Sequence, residues 1–284
     1  MPHPFTHLAR HRLLLPLTIL CGGAAIWAAA PRPKPAGPPK RIVSLNLCAD
    51  QYLLALADPG QIAALTRFSR DPQMSAGAAA ARDVPQSKGT AEDVIALDPD
   101  LVIASPGRRT GTMAALAGHH YRTLELPSPD SYGMIVAQIR EVAAVVGHPG
   151  RGEALIRRMD AELASLPGPR PRGVAAYYQR RGYLSGTGTL IDDLMKRVGL
   201  TNLAGKLGKP ALSQLSLEQL VAARPDYLIV ENGADQVADQ GTEMLHHPVL
   251  AGIPHLTLPQ AWTVCGGPAY VEAARSLARQ INAR

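Results

Sequence analysis

Two stretches of this chain repeat one another without a gap: Thr90-AEDVIALDPDLVIA-Ser105 and Ser216-LEQLVAARPDYLIV-Glu231, at an offset of 126 residues. Each opens with a capping pattern, Thr90-x-x-Asp93 and Ser216-x-x-Gln219, in which side chains satisfy free N–H groups at a helix start; Asp93 stands where Glu or Gln is usual. Each continues as a short amphipathic helix to a Pro-Asp pair, where proline ends the helix. An aliphatic run follows, Leu101-Val102-Ile103 in one copy and Leu228-Ile229-Val230 in the other. Runs that are apolar on both faces suit strands of a parallel sheet covered by helices. A chain that builds this unit twice is constrained to two α/β lobes of related design.

The remaining periodicity agrees. Arg41–Asn46, Tyr121–Leu126, Arg172–Tyr178 and His255–Leu258 read as strands, and 47–57, 130–146, 151–166, 189–198 and 268–283 as helices. Alternating strands and helices imply parallel sheets with right-handed crossovers. The helical stretch between the halves, broken only at Gly147-His-Pro-Gly150, is read as a stiff spine. With 284 residues, 46% of them hydrophobic, the chain has ample material for a core and is not a disordered segment.

The N-terminus reads as an address. Arg10 and Arg12 precede an apolar run from Leu13 to Ala30 with no acid, the pattern of a secretory signal that is either removed or kept as an anchor. No other run could cross a bilayer, which excludes a polytopic membrane protein. The segment PRPKPAGPPK, residues 31–40, reads as an extended tether. The domain reading is therefore 1–30 signal or anchor, 31–40 proline-rich linker and 41–146 N-terminal lobe, whose last helix from about 130 forms part of the spine. The connecting helix region is 147–169 and the C-terminal lobe 170–284. Lys+Arg number 29 against 23 Asp+Glu, net +6, spread without a lysine-rich block, so nucleic acid is not an expected partner.

At this point the residues resemble a known family, the periplasmic substrate-binding proteins of ABC importers for iron–siderophore complexes, haem and vitamin B12. Arg41–Asp58 (RIVSLNLCADQYLLALAD) is similar to that family's opening strand and helix, and EDVIALDPDLVIA from Glu92 to its most recognisable segment. Tyr183–Ala204 and LSLEQLVAARPDYLIV are similar to its second lobe, so the likeness runs from about Arg41 to Arg284. The resemblance implies an α/β protein of two Rossmann-like lobes with parallel sheets, joined by a long connecting α-helix, with a ligand cleft between the lobes and modest closure on ligand. It implies a monomer of the periplasm that delivers cargo to an inner-membrane ABC permease and its ATPase. It also implies docking on that permease through one exposed glutamate per lobe, here Glu92 and Glu218. A carboxylate in a first helical turn is stabilised by the helix dipole and placed for a charge-assisted contact with arginine.

In such a protein, ligands sit beyond the carboxyl ends of the strands. The loops expected there carry Asn46, Cys48, Arg67, Arg108, Arg109, Tyr178, Arg180, Trp262 and Cys265. Forked guanidinium groups suit an anionic complex, and Tyr178 and Trp262 could form stacking walls. The arginines favour a ferric siderophore as cargo, with a corrinoid or haem as the alternative. Cys48 and Cys265, the cysteines left after export, stand one in each lobe. Either they pair and pin the lobes across the cleft mouth, or their thiolates contact a soft or redox-active metal, or they line the cleft as free thiols. No cofactor and no resident metal are expected: the adjacent pairs His119-His120 and His246-His247 point apart, and no chelating set gathers around the cleft loops. Ser105 and Ser185 lack a nucleophile-elbow setting and Cys48 lacks a histidine partner, so the chain is read as a binder and not an enzyme.

Overall fold

The computed structural model describes residues 37–107, 110–168, 170–232 and 240–284. The signal reading at 1–30, most of the tether, and Arg108 and Arg109 lie outside them. Among the described residues no helix is long and apolar enough to cross a membrane.

The first half runs β1 (Ile42–Ser44), α1 (Leu47–Leu56), β2 (Ile62–Thr66), β3 (Gln86–Ser87), α2 (Ala91–Leu97), β4 (Leu101–Ala104), α3 (Thr110–Leu116) and β5 (Arg122–Glu125). Its five strands are all parallel, in the order β3-β2-β1-β4-β5. That is the doubly wound order, with its switch point between β1 and β4. Two helices follow, α4 (Tyr132–Val145) and α5 (Pro149–Ala164). Gly147, at φ +87°, makes the left-handed turn between them, and Pro149 occupies the first turn of α5, where its missing N–H costs nothing. The connecting helix is α5, 16 residues and so about 24 Å long.

The second half runs β6 (Val174–Tyr177), β7 (Tyr183–Ser185), α6 (Leu190–Arg197), β8 (Thr201–Asn202), α7 (Leu203–Lys206), β9 (Leu212–Gln214), α8 (Leu217–Ala223) and β10 (Tyr227–Glu231), then α9 (Gln240–Glu243), β11 (His255–Leu258), α10 (Gln260–Thr263) and α11 (Tyr270–Asn282). Its main sheet is parallel, in the order β11-β10-β6-β8, with the switch point between β6 and β10; β7 and β9 form a separate antiparallel pair.

The sequence echo survives residue by residue. Helix α2 is capped by the Thr90 side chain and α8 by that of Ser216, and both end on a left-handed residue, Asp98 at φ +41° and Arg224 at φ +47°. Each helix thus stops one residue before the proline, not at it. The capping box is complete only in α8, where Gln219 reaches back to the Ser216 N–H. In the first copy Asp93 turns away and accepts from the Ser87 hydroxyl and the Lys88 N–H. Being one methylene shorter than glutamate, it finds the β3 turn closer than its own cap.

Packing follows the two-residue period of a strand. Leu101 and Ile103 of β4, like Ile229 of β10, face one large core built from both halves together with α1, α4, α5, α6 and α11. Val102 and Ala104 face a smaller cluster under α2 and α3, while Leu228 and Val230 face its counterpart under α8. The halves therefore share a core and each keeps a private one.

Candidate ligand-binding site

Beyond the carboxyl ends of β1, β2, β4 and β5 lies a cavity of about 510 Å³. The first half supplies Leu45, Asn46, Leu47 and Cys48 after β1, Thr66, Phe68 and Met74 after β2, Ser105 after β4 and Ser128 after β5; the second half supplies Val264 and Cys265. None of these side chains carries a charge.

Asn46 is placed by helix capping: its Oδ1 accepts from the Cys48 N–H at 2.8 Å, opening α1 at the cavity floor. Beneath it Asp50 is fully buried and accepts from the Thr66 N–H and, at 2.5 Å, the Thr66 hydroxyl. Burial pushes the Asp50 carboxyl up to about 6, and the hydrogen bonds from Ser44 and Thr66 only partly offset it.

The cysteines resolve to the first of their three readings. Cys48 and Cys265 form a disulfide spanning 217 residues, with Cα atoms 5.1 Å apart, and both line the cavity. The next residue is held as well: the Tyr52 hydroxyl lies 2.9 Å from both the Gly266 carbonyl and Gln138 Oε1, sharing its proton between them. Gly266 packs so closely on the Pro129 ring and Ile135 that a Cβ would have no room. On the other side of Val264, Thr263 Oγ1 lies 3.1 Å from the Tyr177 hydroxyl, which also bonds Glu231 Oε1 at 2.7 Å across the second switch point.

The other expected site residues part company. Arg67 is exposed at the rim, its guanidinium 4.6 Å from the Phe68 ring centroid. Arg180 is exposed on a short turn after β6 and does not line the cavity. Tyr178 is a core residue: its ring is 1% exposed and its hydroxyl donates to the Leu215 carbonyl at 2.8 Å, because this strand-end position turns to the private core. Trp262 lines a different cavity, of about 430 Å³, beside Gln51, Met159 and Pro268, because α10 turns that side of the helix away from Val264 and Cys265. Among the described residues no three His, Cys, Asp or Glu side chains gather as a metal site.

Glu92 and Glu218 are both exposed, each in the first turn of its repeated helix. Its own backbone N–H and the Thr90 hydroxyl hold the Glu92 carboxyl below the usual range. The Ser216 hydroxyl, the Glu218 backbone N–H and nearby His247 do the same for Glu218. Sequence reasoning missed Thr66, Met74 and Ser128, while Phe68 and Val264 lie on the Arg67–Arg70 and Trp262–Gly267 loops it placed at the cleft without singling them out. The apolar run Ile62–Thr66 after the Asp58-Pro59-Gly60 turn was the available signal for β2, and β2 carries Thr66 to the cleft.

Two doubly wound sheets joined by a helix, with a cavity at the strand ends and a wall borrowed from the second half, define a two-lobed α/β binding protein. The match to a family settles which one: over residues 42–256 the chain fits the periplasmic binding protein family, and it belongs to that family. It is similar to a cobalamin-binding protein of Halobacterium salinarum, 24% identical over 205 residues that make up 70% of this chain and 56% of that one. The chain thus spans little more than half the length of this curated relative. Among solved structures it resembles the periplasmic haem-binding protein RhuT of Roseiflexus (TM-score 0.68, 24% identity, 86% of this chain and 98% of that one). It also resembles the vitamin B12-binding protein BtuF of Vibrio cholerae (TM-score 0.63, 16% identity, 87% and 98%). At these identities the likeness is one of fold.

Proposed function

We propose that this chain is an exported receptor that captures a metal-chelate nutrient in the cavity beyond β1, β2 and β4 and delivers it to an inner-membrane ABC permease. The observation that carries the choice of cargo is that the lining is neutral among the described residues. Hydroxyls and an amide (Ser105, Ser128, Thr66, Asn46) stand among apolar and sulfur-bearing walls (Phe68, Met74, the disulfide). Such a surface suits a ligand with a broad apolar face and an uncharged polar periphery, the chemistry of a corrinoid with its amide side chains. The similarity to a cobalamin-binding protein supports the same reading. A ferric siderophore, first choice on the arginines alone, keeps Arg67 at the rim as its supporting observation. The basic and apolar N-terminal segment supports export, and the matched exposed acids Glu92 and Glu218 support docking on arginines of the permease.

Equilibrium binding of cyanocobalamin, haemin and a ferric hydroxamate, followed by the absorption of each probe, tests the choice. Cyanocobalamin is expected to bind most tightly, and Phe68→Ala to weaken it. Tighter binding of the ferric hydroxamate would return the cargo to the siderophore class. Silence from all three would remove the chelate-receptor reading.

A further inference from the structure

Residues 264–267 follow the last strand of the second half, yet the first half holds them. Cys265 is bonded to Cys48, the Gly266 carbonyl is bound by Tyr52, and Gly266 is packed on Pro129 and Ile135. Two residues earlier, Thr263 is tied through Tyr177 to Glu231 at the second switch point. The tie to the second switch point thus ends at Thr263 and the covalent tie to the first half begins at Cys265, with Val264 between them. Val264 and Cys265 are the walls that, among the described residues, come from the second half in sequence, and the disulfide fastens them to the cavity floor. Among the described residues, every other wall of the cavity belongs to the first half.

We infer that the Cys48–Cys265 bond sets the width of the cavity, and with it which cargo the cleft admits. The inference rests on the proposal that this cavity is the cargo site. The cavity keeps its dimensions whatever the rest of the second half does, so the site is pre-formed and a fitting ligand loses little in ordering it. Without the bond the wall is held to the first half by one shared hydrogen bond and by the packing of Gly266. It then yields to ligands of other widths and releases the right one sooner.

The test compares the oxidised protein with protein reduced, alkylated with iodoacetamide and freed of reductant, and with the Cys48→Ala/Cys265→Ala double variant. Amide exchange at 262–267 needs no cargo and is expected to accelerate about tenfold in both altered forms. Dissociation of cyanocobalamin is expected to quicken about tenfold, and the preference among cyanocobalamin, haemin and ferric hydroxamate to narrow. Unchanged exchange would overturn the clamp, and faster exchange with unchanged discrimination would overturn its role in selection. If no probe binds any form, the cargo reading fails and the selection claim with it, while exchange still decides the clamp. Should the double variant fail to fold, the alkylated wild type carries the same readouts.

Discussion

Asp50 shows how a single residue can set a pH response. Its carboxyl is buried under the cavity floor and titrates near 6 instead of 3.8. The native state thus holds that proton more tightly than the unfolded chain does, so its contribution to stability is complete below about pH 4 and lost as the pH rises through 6. The full effect is about 3 kcal/mol. Asp50→Asn is expected to remove it: the variant gains on the wild type between pH 4 and 7, measured as the difference in urea midpoints at each pH. A second prediction concerns Tyr178. Tyr178→Phe strands the buried Leu215 carbonyl and is expected to cost about 1–2 kcal/mol, while cargo affinity stays as it was. These two residues mark the limits of reading by position. Asn46 was legible because it leaves a predicted strand at its carboxyl end, where loops of a doubly wound sheet meet the cleft, and its role as the cap of α1 came only with the structure. Tyr178 and Trp262 were not, because the residue leaving a strand or a short helix turns to either side according to packing. The arginines were visible as a set only in one dimension, and the fold sends Arg67 to the rim and Arg180 elsewhere.

At the scale of elements the repeated helix–strand unit was legible almost to the residue. Capping chemistry, period and Pro-Asp all report the same local structure, and the strand faces then follow from alternation. What sequence could not show was the left-handed stop at Asp98 and Arg224, since the proline that follows each one disfavours the right-handed helical region without fixing which other region is taken. The short strands β3, β8 and β9 were equally hidden, being defined by partners and not by their own periodicity. The repeated first turns carry a prediction. Glu92→Lys and Glu218→Lys each set a cation against a helix N-terminus, a small loss at an exposed position. Cargo binding by the purified double variant is expected to be unchanged while cellular uptake of labelled cargo is lost. If binding falls in step with uptake, those acids belong to the cleft.

The whole molecule is held by its shared core and by one covalent link. The core draws on α1, α4, α5, α6 and α11 and on both sheets, so unfolding is expected to be a single transition by both fluorescence and circular dichroism. Closing a 217-residue loop restricts the unfolded chain, and the chain-entropy model sets an upper figure of about 5 kcal/mol for the stability lost on reduction. A urea titration of oxidised and alkylated protein measures it. The two-lobe architecture was readable from the echo because duplication constrains topology. The pairing of Cys48 with Cys265 was not, because two thiols so far apart along the chain meet only through the docked arrangement of both halves.

That last dependence has a consequence for biogenesis. The sulfurs come within bonding reach only when the halves have already met in the right pose, so the link is a chemical record of correct assembly. A copy whose halves have met badly keeps two reactive thiols. Their thiolates can attack the disulfide of an oxidant or an exchange partner, a reaction that the bonded sulfurs of the assembled chain cannot start.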